Sequence, residues 1–327
     1  MKQSNKSIKL IRRKPLVKNL LLIEGISRAG KLLLANILHG FQGIEPTQCC
    51  WLLDDIPFLE KFGLMEKGVA QEMLQCEIDS RCYEMLIGRN LNHRRSDKSS
   101  IFNIPSFDNY LRRCEESDGD WAIKRFYRKN LYSMFVLHEI MSIIGIYFDT
   151  FPALKVISVQ RSPIDLVYAW CQRGIGRRIG QQDPKLFMIL FGDKSGPTPW
   201  YAIGWKENYR SLSEVDRTIL FIERLFKTSL VAYRKLSPKN RKKILTVLYE
   251  DILGDTHGVI KKIGKFLNKK SLPEMKLILK KEHLPNKDRL SLRERRLADI
   301  KALASKPYFN RLLRLEKEYS SGSYKTI

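Results

Sequence analysis

The stretch from Leu20 to Leu34 constrains the fold of this chain most. It reads LLLIEGISRAGKLLL: four apolar residues, a loop bounded by Gly25 and Gly30, and an apolar stretch that continues to Leu38. The first run has the length of a buried strand, and the second predicts a helix. A glycine loop between a strand and a helix N-terminus suits phosphate, because free backbone N–H groups and the helix dipole face the anion. The sequence therefore predicts a phosphate-binding loop.

Two cations, Arg28 and Lys31, lie within or next to this loop. The spacing Gly25-x4-Gly30-Lys31 satisfies most of a Walker A pattern, whose next residue is a Ser or Thr that binds Mg²⁺. Leu32 occupies that position, and its side chain cannot ligate a hard cation. A Mg²⁺-dependent nucleoside triphosphatase is therefore disfavoured, while a P-loop small-molecule kinase stays open as an alternative.

Apolar runs of strand type alternate with helical patterns along the rest of the chain. The predicted strands cover 20–23, 121–123, 156–159 and 244–248, and the predicted helices cover 32–38, 131–144, 163–173, 219–236 and 257–267. This alternation predicts an α/β fold, a parallel sheet flanked by helices in a P-loop-like three-layer sandwich. Ligands of such sheets bind at the carboxyl ends of the strands. That edge would bring together four side chains that follow these runs: Arg28, Lys124, Arg161 and Tyr249.

The chain has 327 residues and a formal net charge of +24, from 59 Lys and Arg against 35 Asp and Glu. We expect a single domain over 1–327, with a basic tail at 1–16, a loop or lid at 174–200 and a helical tail at 290–319. The charge favours an anionic partner, such as a nucleotide, a polyanionic substrate or an anionic surface.

Several classes of protein are disfavoured by what the sequence lacks. The six cysteines form no CxxC pair and no zinc-type spacing with histidine, so we expect reduced thiols and no metal site. No RNA-recognition, KH or zinc-finger pattern occurs, and the basic residues are spread along the chain, so no specific nucleic-acid binding is expected. The stretch 140–148 is the longest mainly apolar one and too short to span a bilayer. A cytoplasmic location is expected; the oligomeric state is left open.

Two further segments carry chemistry. In Arg161-Ser162-Pro163-Ile164-Asp165, the serine is a candidate helix cap and the proline and aspartate suit a first helical turn. Arg161 is placed to hold a second phosphate, or alternatively to pair with a carboxylate. In Tyr249-Glu250-Asp251-Ile252, the tyrosine follows a predicted strand. Its ring would stack on a base, or would be the last residue of the core.

These segments, together with Arg28-Ala29-Gly30-Lys31-Leu32, resemble the PAPS-dependent sulfotransferase family in local pattern and in order. That family has a phosphosulfate loop of the form Arg/Lys-Ser-Gly-Thr-Thr, then a strand followed by Arg-x-Pro-x-Asp, then Tyr-Glu-Asp-Leu. The resemblance covers roughly 20–267. It implies transfer of a sulfuryl group from PAPS (3′-phosphoadenosine 5′-phosphosulfate) to a hydroxyl or amine, with no metal required.

The resemblance also implies roles for particular residues. The backbone from Arg28 to Leu32 would hold the 5′-phosphosulfate, with Arg28 also among the catalytic cations. Arg161 would hold the 3′-phosphate, and Tyr249 would lie near the adenine. Lys124 is similar to the second lysine of the family, which steadies the leaving phosphate. The family's base is a His or Glu after the loop, for which Glu45 is the first candidate, ahead of Asp54 and Asp55; a solvated turn residue is the alternative for Glu45.

The chain departs from the family at four positions. Ala29 replaces the loop serine, Lys31 and Leu32 replace the two threonines, and Ala169 replaces a serine eight residues after Arg161. These changes remove hydroxyls from the cofactor site, so a degenerate protein that binds a nucleotide or polyanion without turnover is the second hypothesis. The acceptor is not identified by any pattern; a glycan is one candidate, and 50–109 and 174–200 are expected to form its pocket.

Overall fold

The central sheet holds the predicted phosphate loop at its middle strand. A computed structural model describes residues 10–11, 14–116, 119–179, 183, 188–193, 196–205, 208–322 and 324. In these residues the strands are β1 (Leu20–Glu24), β2 (Ile44–Cys49), β3 (Tyr132–Val136), β4 (Lys155–Gln160), β5 (Leu190–Asp193), β6 (Gly196–Pro199) and β7 (Ile244–Leu248). Five of them form a parallel sheet in the order β2-β3-β1-β4-β7, and β5 and β6 form an antiparallel hairpin.

Helices connect and cover these strands. In chain order the α-helices of the described residues are α1 (Lys31–Leu38), α2 (Trp51–Lys61), α3 (Lys67–Leu86), α4 (Asp108–Leu111), α5 (Gly119–Arg128), α6 (Ile144–Thr150), α7 (Pro163–Gln172), α8 (Ile175–Arg178), α9 (Glu214–Lys235), α10 (Pro238–Arg241), α11 (Tyr249–Gly254), α12 (Thr256–Leu267), α13 (Met275–Lys281), α14 (Asp288–Ser291), α15 (Arg293–Leu303) and α16 (Lys306–Ser320). The predicted fold class, a parallel sheet flanked by helices, is confirmed.

The middle strand explains why the N-terminal apolar run is so continuous. All five residues of β1 are buried, because β1 pairs with β3 on one side and β4 on the other. A strand covered on both faces needs no alternation of polar residues. After β1 the chain forms β2 and β3 on one side of β1, and it then crosses to form β4 and β7 on the other side. A crevice at the carboxyl ends of the strands is expected where the strand order changes direction in this way. The loop that follows β1 lies there.

Two segments differ from their predicted structures. The run 121–123 is not a strand but part of α5, which buries Ala122 and Phe126, four residues apart on one helical face. The first part of 131–144 is not a helix but β3, whose five residues are all buried between β1 and β2. Strands β2 and β3 were thus missed by the sequence analysis, and the sheet is wider than expected on that side.

The other helices and strands agree with expectation. Strands β4 and β7 and helices α1, α7, α9 and α12 lie where the periodicity predicted them. The predicted helical tail forms α15 and α16, which pack against α7 and α9. The predicted loop at 174–200 contains α8 and the β5–β6 hairpin in its described residues. Most of the predicted basic tail at 1–16 lies outside the described residues.

No helix in the described part of the chain combines the length and apolar character needed to cross a membrane.

Candidate functional site

Two glycines shape the loop after β1. Gly25 has φ 145°, and a Cβ atom there would lie 2.4 Å from the carbonyl oxygen of Val159 in the neighbouring strand. Gly30 has φ 106°, and a Cβ atom there would lie 2.5 Å from the ring of Tyr249. Residues with a side chain rarely adopt these backbone conformations, and a Cβ atom at either position would collide with the neighbouring atoms. The loop therefore follows its course because both residues are glycine.

Lys31 begins α1 and bends back over this loop. Its ammonium Nζ donates to the carbonyl oxygens of Gly25, at 2.5 Å, and Ile26, at 3.2 Å. Burial lowers the pKa of Lys31, against the attraction of Glu139 and Glu24. Helix α1 has no side-chain cap and no acidic residue in its first turn. Its first N–H groups and the Lys31 ammonium therefore offer positive charge to an anion.

The Ser27 backbone fixes the loop from two sides. Its N–H donates to Glu139 Oε1 at 2.5 Å, and its carbonyl accepts from the indole Nε1 of Trp170 at 2.7 Å. Both partners come from segments that follow other strands of the sheet: Glu139 after β3, and Trp170 on α7 after β4. The loop is therefore held in one conformation before any ligand binds.

Arg161 follows β4 and lies across the mouth of the loop. Its Nη1 donates to the carbonyl oxygen of Arg28 at 2.8 Å, and its guanidinium lies 4.4 Å from the ring centroid of Tyr249. Its Nε is buried without a hydrogen-bond partner among the described residues; the carboxylate of Asp165 is 3.9 Å away. A buried donor without a partner costs free energy, so this geometry suits an anionic ligand.

Further positive charge is concentrated around Arg28. Burial lowers the pKa of Arg28, and the nearby charges of Arg173 and Arg161 lower it further. Like charges held this close repel one another, and a bound anion would relieve the repulsion. Arg28 itself has φ 75°, a strained conformation for a residue with a side chain.

These side chains line a cavity of ≈ 500 Å³, here called the basic cavity. Six Lys or Arg residues line it against one acidic residue, Glu282. The six are Arg28, Lys31, Lys98, Arg161, Lys281 and Arg289. Gly30, Leu32 and Tyr249 also line it. Lys98 pairs with Glu282 at 3.4 Å and Arg161 lies 3.9 Å from Asp165, but the cations still outnumber the acidic residues, so the cavity suits a ligand with several negative charges.

The helical tail braces the segment that carries Arg161. Glu316 of α16 accepts from the Ser162 hydroxyl at 2.7 Å and from the Ile164 N–H at 3.3 Å. Glu250, next to Tyr249, accepts from the Ser162 N–H at 2.9 Å. Ser162 occupies the N-cap position of α7, as predicted, but its hydroxyl makes no capping hydrogen bond and donates to Glu316 instead. The carboxylate of Glu316 takes over the capping of α7.

A histidine missed by the sequence analysis lies beside this cavity. Asp54 Oδ1 accepts from the backbone N–H of His138 at 2.8 Å, and Asp54 Oδ2 lies 3.0 Å from its Nδ1. The ring stacks on Trp51 at 4.9 Å between centroids. Burial lowers the pKa of His138 to about 3 and raises that of Asp54 to about 7. Above pH 7 the pair is thus a neutral imidazole that donates from Nδ1 to a carboxylate, which leaves Nε2 able to accept a proton.

A second cavity of ≈ 160 Å³, here called the aromatic cavity, adjoins the first at His138. Both cavities are lined by Ser27, His138 and Ile175. The remaining lining residues of the aromatic cavity are Trp51, Asp54, Asp55, Phe58, Glu139, Trp170, Arg178, Ile179, Met188, Trp200 and Tyr201. Eight of these eleven residues lie in the two segments expected to form the acceptor pocket, 50–109 and 174–200, and the other three are Glu139, Trp170 and Tyr201.

Four predicted site residues line neither cavity: Lys124, Ala29, Ala169 and Glu45. Lys124 is exposed on α5 and lines neither cavity, because 121–123 forms a helix instead of a strand that ends in the site. Ala29 is buried behind the loop, and Ala169 is half-buried on α7; neither lines a cavity. The other predicted cofactor residues line the basic cavity together: Arg28, Gly30, Lys31, Leu32, Arg161 and Tyr249.

Glu45 is neither a solvated turn residue nor an accessible base. It lies in β2, 3% exposed, and its two carboxylate oxygens accept from Arg113 Nη1 at 2.6 Å and Nη2 at 3.0 Å. Both of its oxygens are occupied by this bidentate contact and Glu45 lines neither cavity, so an acceptor bound in either cavity would not contact it. Asp54, the second candidate, does line the aromatic cavity and positions His138. The signal that marks His138 is its place directly after the β3 apolar run, which the sequence analysis had assigned to a helix.

Comparisons with known proteins were made for the whole chain. No family model matches it, and no curated protein matches it. Solved structures that resemble it include the sulfotransferase domain from the curacin biosynthetic pathway, with 13% identity over 79% of this chain and 77% of that chain and a TM-score of 0.43. The sulfotransferase domain from the Synechococcus PCC 7002 olefin synthase has 14% identity over 95% and 98% and a TM-score of 0.43.

A sulfotransferase from Mycobacterium tuberculosis, STF1, has 14% identity over 81% of this chain and 71% of that chain, with a TM-score of 0.37. The likeness to these sulfotransferase structures is one of fold. With TM-scores below 0.5 it carries no argument about activity, which has to come from the site itself.

Proposed function

We propose that this chain is a sulfotransferase that moves a sulfuryl group from PAPS to a small acceptor. The observation that carries the proposal is the position of His138 between two cavities of different character. The basic cavity is the larger and suits an anionic donor, and the aromatic cavity is the smaller and suits an acceptor. A base at the junction is where a transfer between two bound molecules needs it.

The residues of the basic cavity fit the groups of PAPS. The uncapped N-terminus of α1 and the Lys31 ammonium would hold the 5′-phosphosulfate. Arg161, whose Nε forms no hydrogen bond with any described residue and lies 3.9 Å from Asp165, would hold the 3′-phosphate. The ring of Tyr249 would lie near the adenine. The hydroxyls missing at Ala29 and Ala169 matter less than expected, because neither residue lines this cavity.

In the proposed reaction His138 Nε2 accepts the proton of the acceptor hydroxyl. The acceptor oxygen forms a bond to sulfur, and the bond between sulfur and the bridging oxygen breaks. The electron pair of that bond stays on the phosphate oxygen of the leaving nucleotide. Lys31 and Arg28 stabilise the charge that develops there. Asp54 fixes the imidazole tautomer and stabilises the imidazolium that forms.

The low pKa of His138 describes the protein without ligand. Burial is its main cause, and the charge of Lys31 adds to it. A bound phosphosulfate would compensate Lys31 and place negative charge near the ring, and both effects raise the pKa. Binding of the donor would thereby bring the base closer to the pH at which it works best.

Calorimetric titration with PAP, the desulfated product, tests the donor site, with ATP and Mg²⁺ titrated alongside. We expect PAP to bind and ATP–Mg²⁺ to bind much more weakly, because Leu32 offers no ligand to the metal. Binding of ATP–Mg²⁺ alone would favour the kinase alternative. Release of PAP from PAPS in the presence of acceptor separates an active enzyme from a degenerate binder.

A further inference from the structure

The aromatic cavity differs in charge from the rest of the molecule. Three carboxylates line it, those of Asp54, Asp55 and Glu139, against one arginine, Arg178. The Nε of Arg178 in turn lies 4.0 Å from Asp183. The chain as a whole carries a formal charge of +24, and the adjoining basic cavity has the opposite balance. A negative cavity in so basic a protein would repel an anionic acceptor and attract a cationic one.

The walls of the cavity are suited to the same kind of ligand. Five of its lining residues are Trp, Phe or Tyr: Trp51, Phe58, Trp170, Trp200 and Tyr201. The rings of Phe58 and Trp200 stack at 4.1 Å, and Tyr201 lies edge-on to Trp200 at 5.2 Å. Aromatic faces attract ammonium groups, and cages of such rings are used to bind them. Lys61, outside the cavity, already places its Nζ 5.6 Å from the Trp200 ring.

A buried polar atom in the wall lacks a partner. Tyr201 is 3% exposed, and its hydroxyl is buried and forms no hydrogen bond among the described residues. A buried hydroxyl without a partner costs free energy. Because this hydroxyl has almost no accessible surface, the rings and the carboxylates are what determine the ligand chemistry of the cavity.

Of the three carboxylates, Asp55 is the one most available to a ligand. Both oxygens of Asp54 are engaged by His138, and Oε1 of Glu139 accepts from Ser27. Asp55 Oδ1 accepts a 3.3 Å bond from the backbone N–H of Ile189, and no described Lys or Arg forms an ion pair with Asp55.

We infer that the acceptor is a small organic cation, a molecule that carries a protonated amine or quaternary ammonium beside the hydroxyl that is sulfated. The ammonium group lies among the aromatic rings and near Asp55, while the hydroxyl reaches His138 at the junction of the cavities. This inference rests on the proposed function for the identity of the reaction, but the cation preference of the cavity is measurable without it. An anionic glycan is disfavoured as acceptor.

Three phenols of nearly equal size test the inference: tyramine, para-propylphenol and para-hydroxyphenylpropionate. They differ at the chain end, which is cationic, neutral or anionic. Their dissociation constants would be measured by calorimetry on the full chain at pH 8, with and without saturating PAP. We expect tyramine to bind roughly tenfold tighter than para-propylphenol, because one charge-assisted contact contributes about that much affinity. We expect para-hydroxyphenylpropionate to bind weakest of the three.

Asp55→Asn should reduce the preference for tyramine over para-propylphenol towards unity. Glu60→Gln is the matched control, since it removes a carboxylate of the same helix that does not line the cavity, and should retain the preference. Equal binding of the three phenols by the unaltered protein, tighter binding of the carboxylate, or binding of none would overturn the inference. Cation preference without PAP binding would contradict the proposed sulfotransferase instead, and the two failures are thereby distinguished.

Discussion

The ring of Tyr249 lies so close to Gly30 that a Cβ atom at Gly30 would come within 2.5 Å of Tyr249 Cδ2. Gly30 lies in the loop between β1 and α1, Tyr249 begins α11 directly after β7, and both residues line the basic cavity. This contact joins the phosphate loop to the segment that ends β7. It also ties the conformation of the loop to the position of the ring.

Gly30→Ala should therefore damage the site. An alanine at φ 106° is strained by ~1–2 kcal/mol, and the Tyr249 ring has to move as well. We expect a lower melting temperature and roughly tenfold or greater loss of PAP affinity. Gly68→Ala on α3 is the control, because nothing lies within 4 Å of its Cβ position and alanine favours a helix. Unchanged PAP affinity in Gly30→Ala would contradict the placement of the donor over this loop.

Arg161→Ala should weaken binding of PAP more than binding of AMP, which lacks the 3′-phosphate. A hydrogen bond to a charged group contributes ~1.5–3 kcal/mol, which corresponds to a loss of roughly ten- to a hundredfold. Calorimetric titration of both nucleotides measures the difference. Arg234→Ala removes an exposed arginine of α9 and should leave both affinities intact. An equal loss for PAP and AMP would move the 3′-phosphate away from Arg161.

His138→Ala should lower turnover by roughly a hundredfold or more with little change in PAP affinity, since general base catalysis contributes about that much. Asp54→Asn should lower turnover less, because the imidazole remains but loses the carboxylate that sets its tautomer. Steady-state PAP release with tyramine as acceptor measures both effects. If Asp54→Asn abolished turnover while His138→Ala retained it, Asp54 would be the base.

Glu24 should make stability depend on pH. Burial raises the pKa of Glu24 to about 7, against the hydrogen bond from Ser158 and the charge of Lys31. The Glu24 carboxyl group therefore stays protonated in the folded protein at pH values where it is ionised in the unfolded chain. The stabilisation is complete below pH 4.5 and is lost as the pH rises through 7.

The free energy of unfolding, measured by urea from pH 4.5 to 8 in wild type and Glu24→Gln, tests this. Across this pH range the free energy of unfolding of the wild type should fall by about 3 kcal/mol relative to that of Glu24→Gln. A difference between the two proteins that is constant with pH would show that Glu24 titrates normally. Glu60→Gln, which changes a half-buried glutamate of α2, serves as the control.

The parts of the fold that the sequence predicts are those with a local signal. Strands β1, β4 and β7 are continuous apolar runs, and each is followed by a residue that lines the basic cavity or its loop: Arg28, Arg161 or Tyr249. The glycine spacing and each of the three motifs are local patterns, and residues from all three line the basic cavity. The loop, its cations and the helix that follows were therefore predictable.

The missed parts depend on distant partners. Strand β2 contains Glu45, Pro46, Thr47 and Gln48, and its polar residues are buried by tertiary contacts rather than by any local pattern. Glu45 is satisfied by Arg113, 68 residues further along the chain. The run before His138 has apolar residues at both strand and helix spacings, and its assignment to a helix hid the position of His138 at the end of a strand. Pairing with the neighbouring strands β1 and β2 makes this run a strand, and the periodicity of the sequence carries no information about that pairing.

The Glu45–Arg113 pair should stabilise the fold without taking part in the reaction. Glu45→Gln removes one charge of a buried bidentate pair and leaves Arg113, 6% exposed, without its counter-ion. Such a loss destabilises by ~3–5 kcal/mol, whereas replacement of both partners by apolar residues costs much less. We expect Glu45→Gln to lower the free energy of unfolding strongly, and Glu45→Met with Arg113→Met to recover most of it. Per folded molecule, turnover and PAP affinity should be retained in the double variant. Loss of turnover in a stable double variant would restore Glu45 as a catalytic candidate.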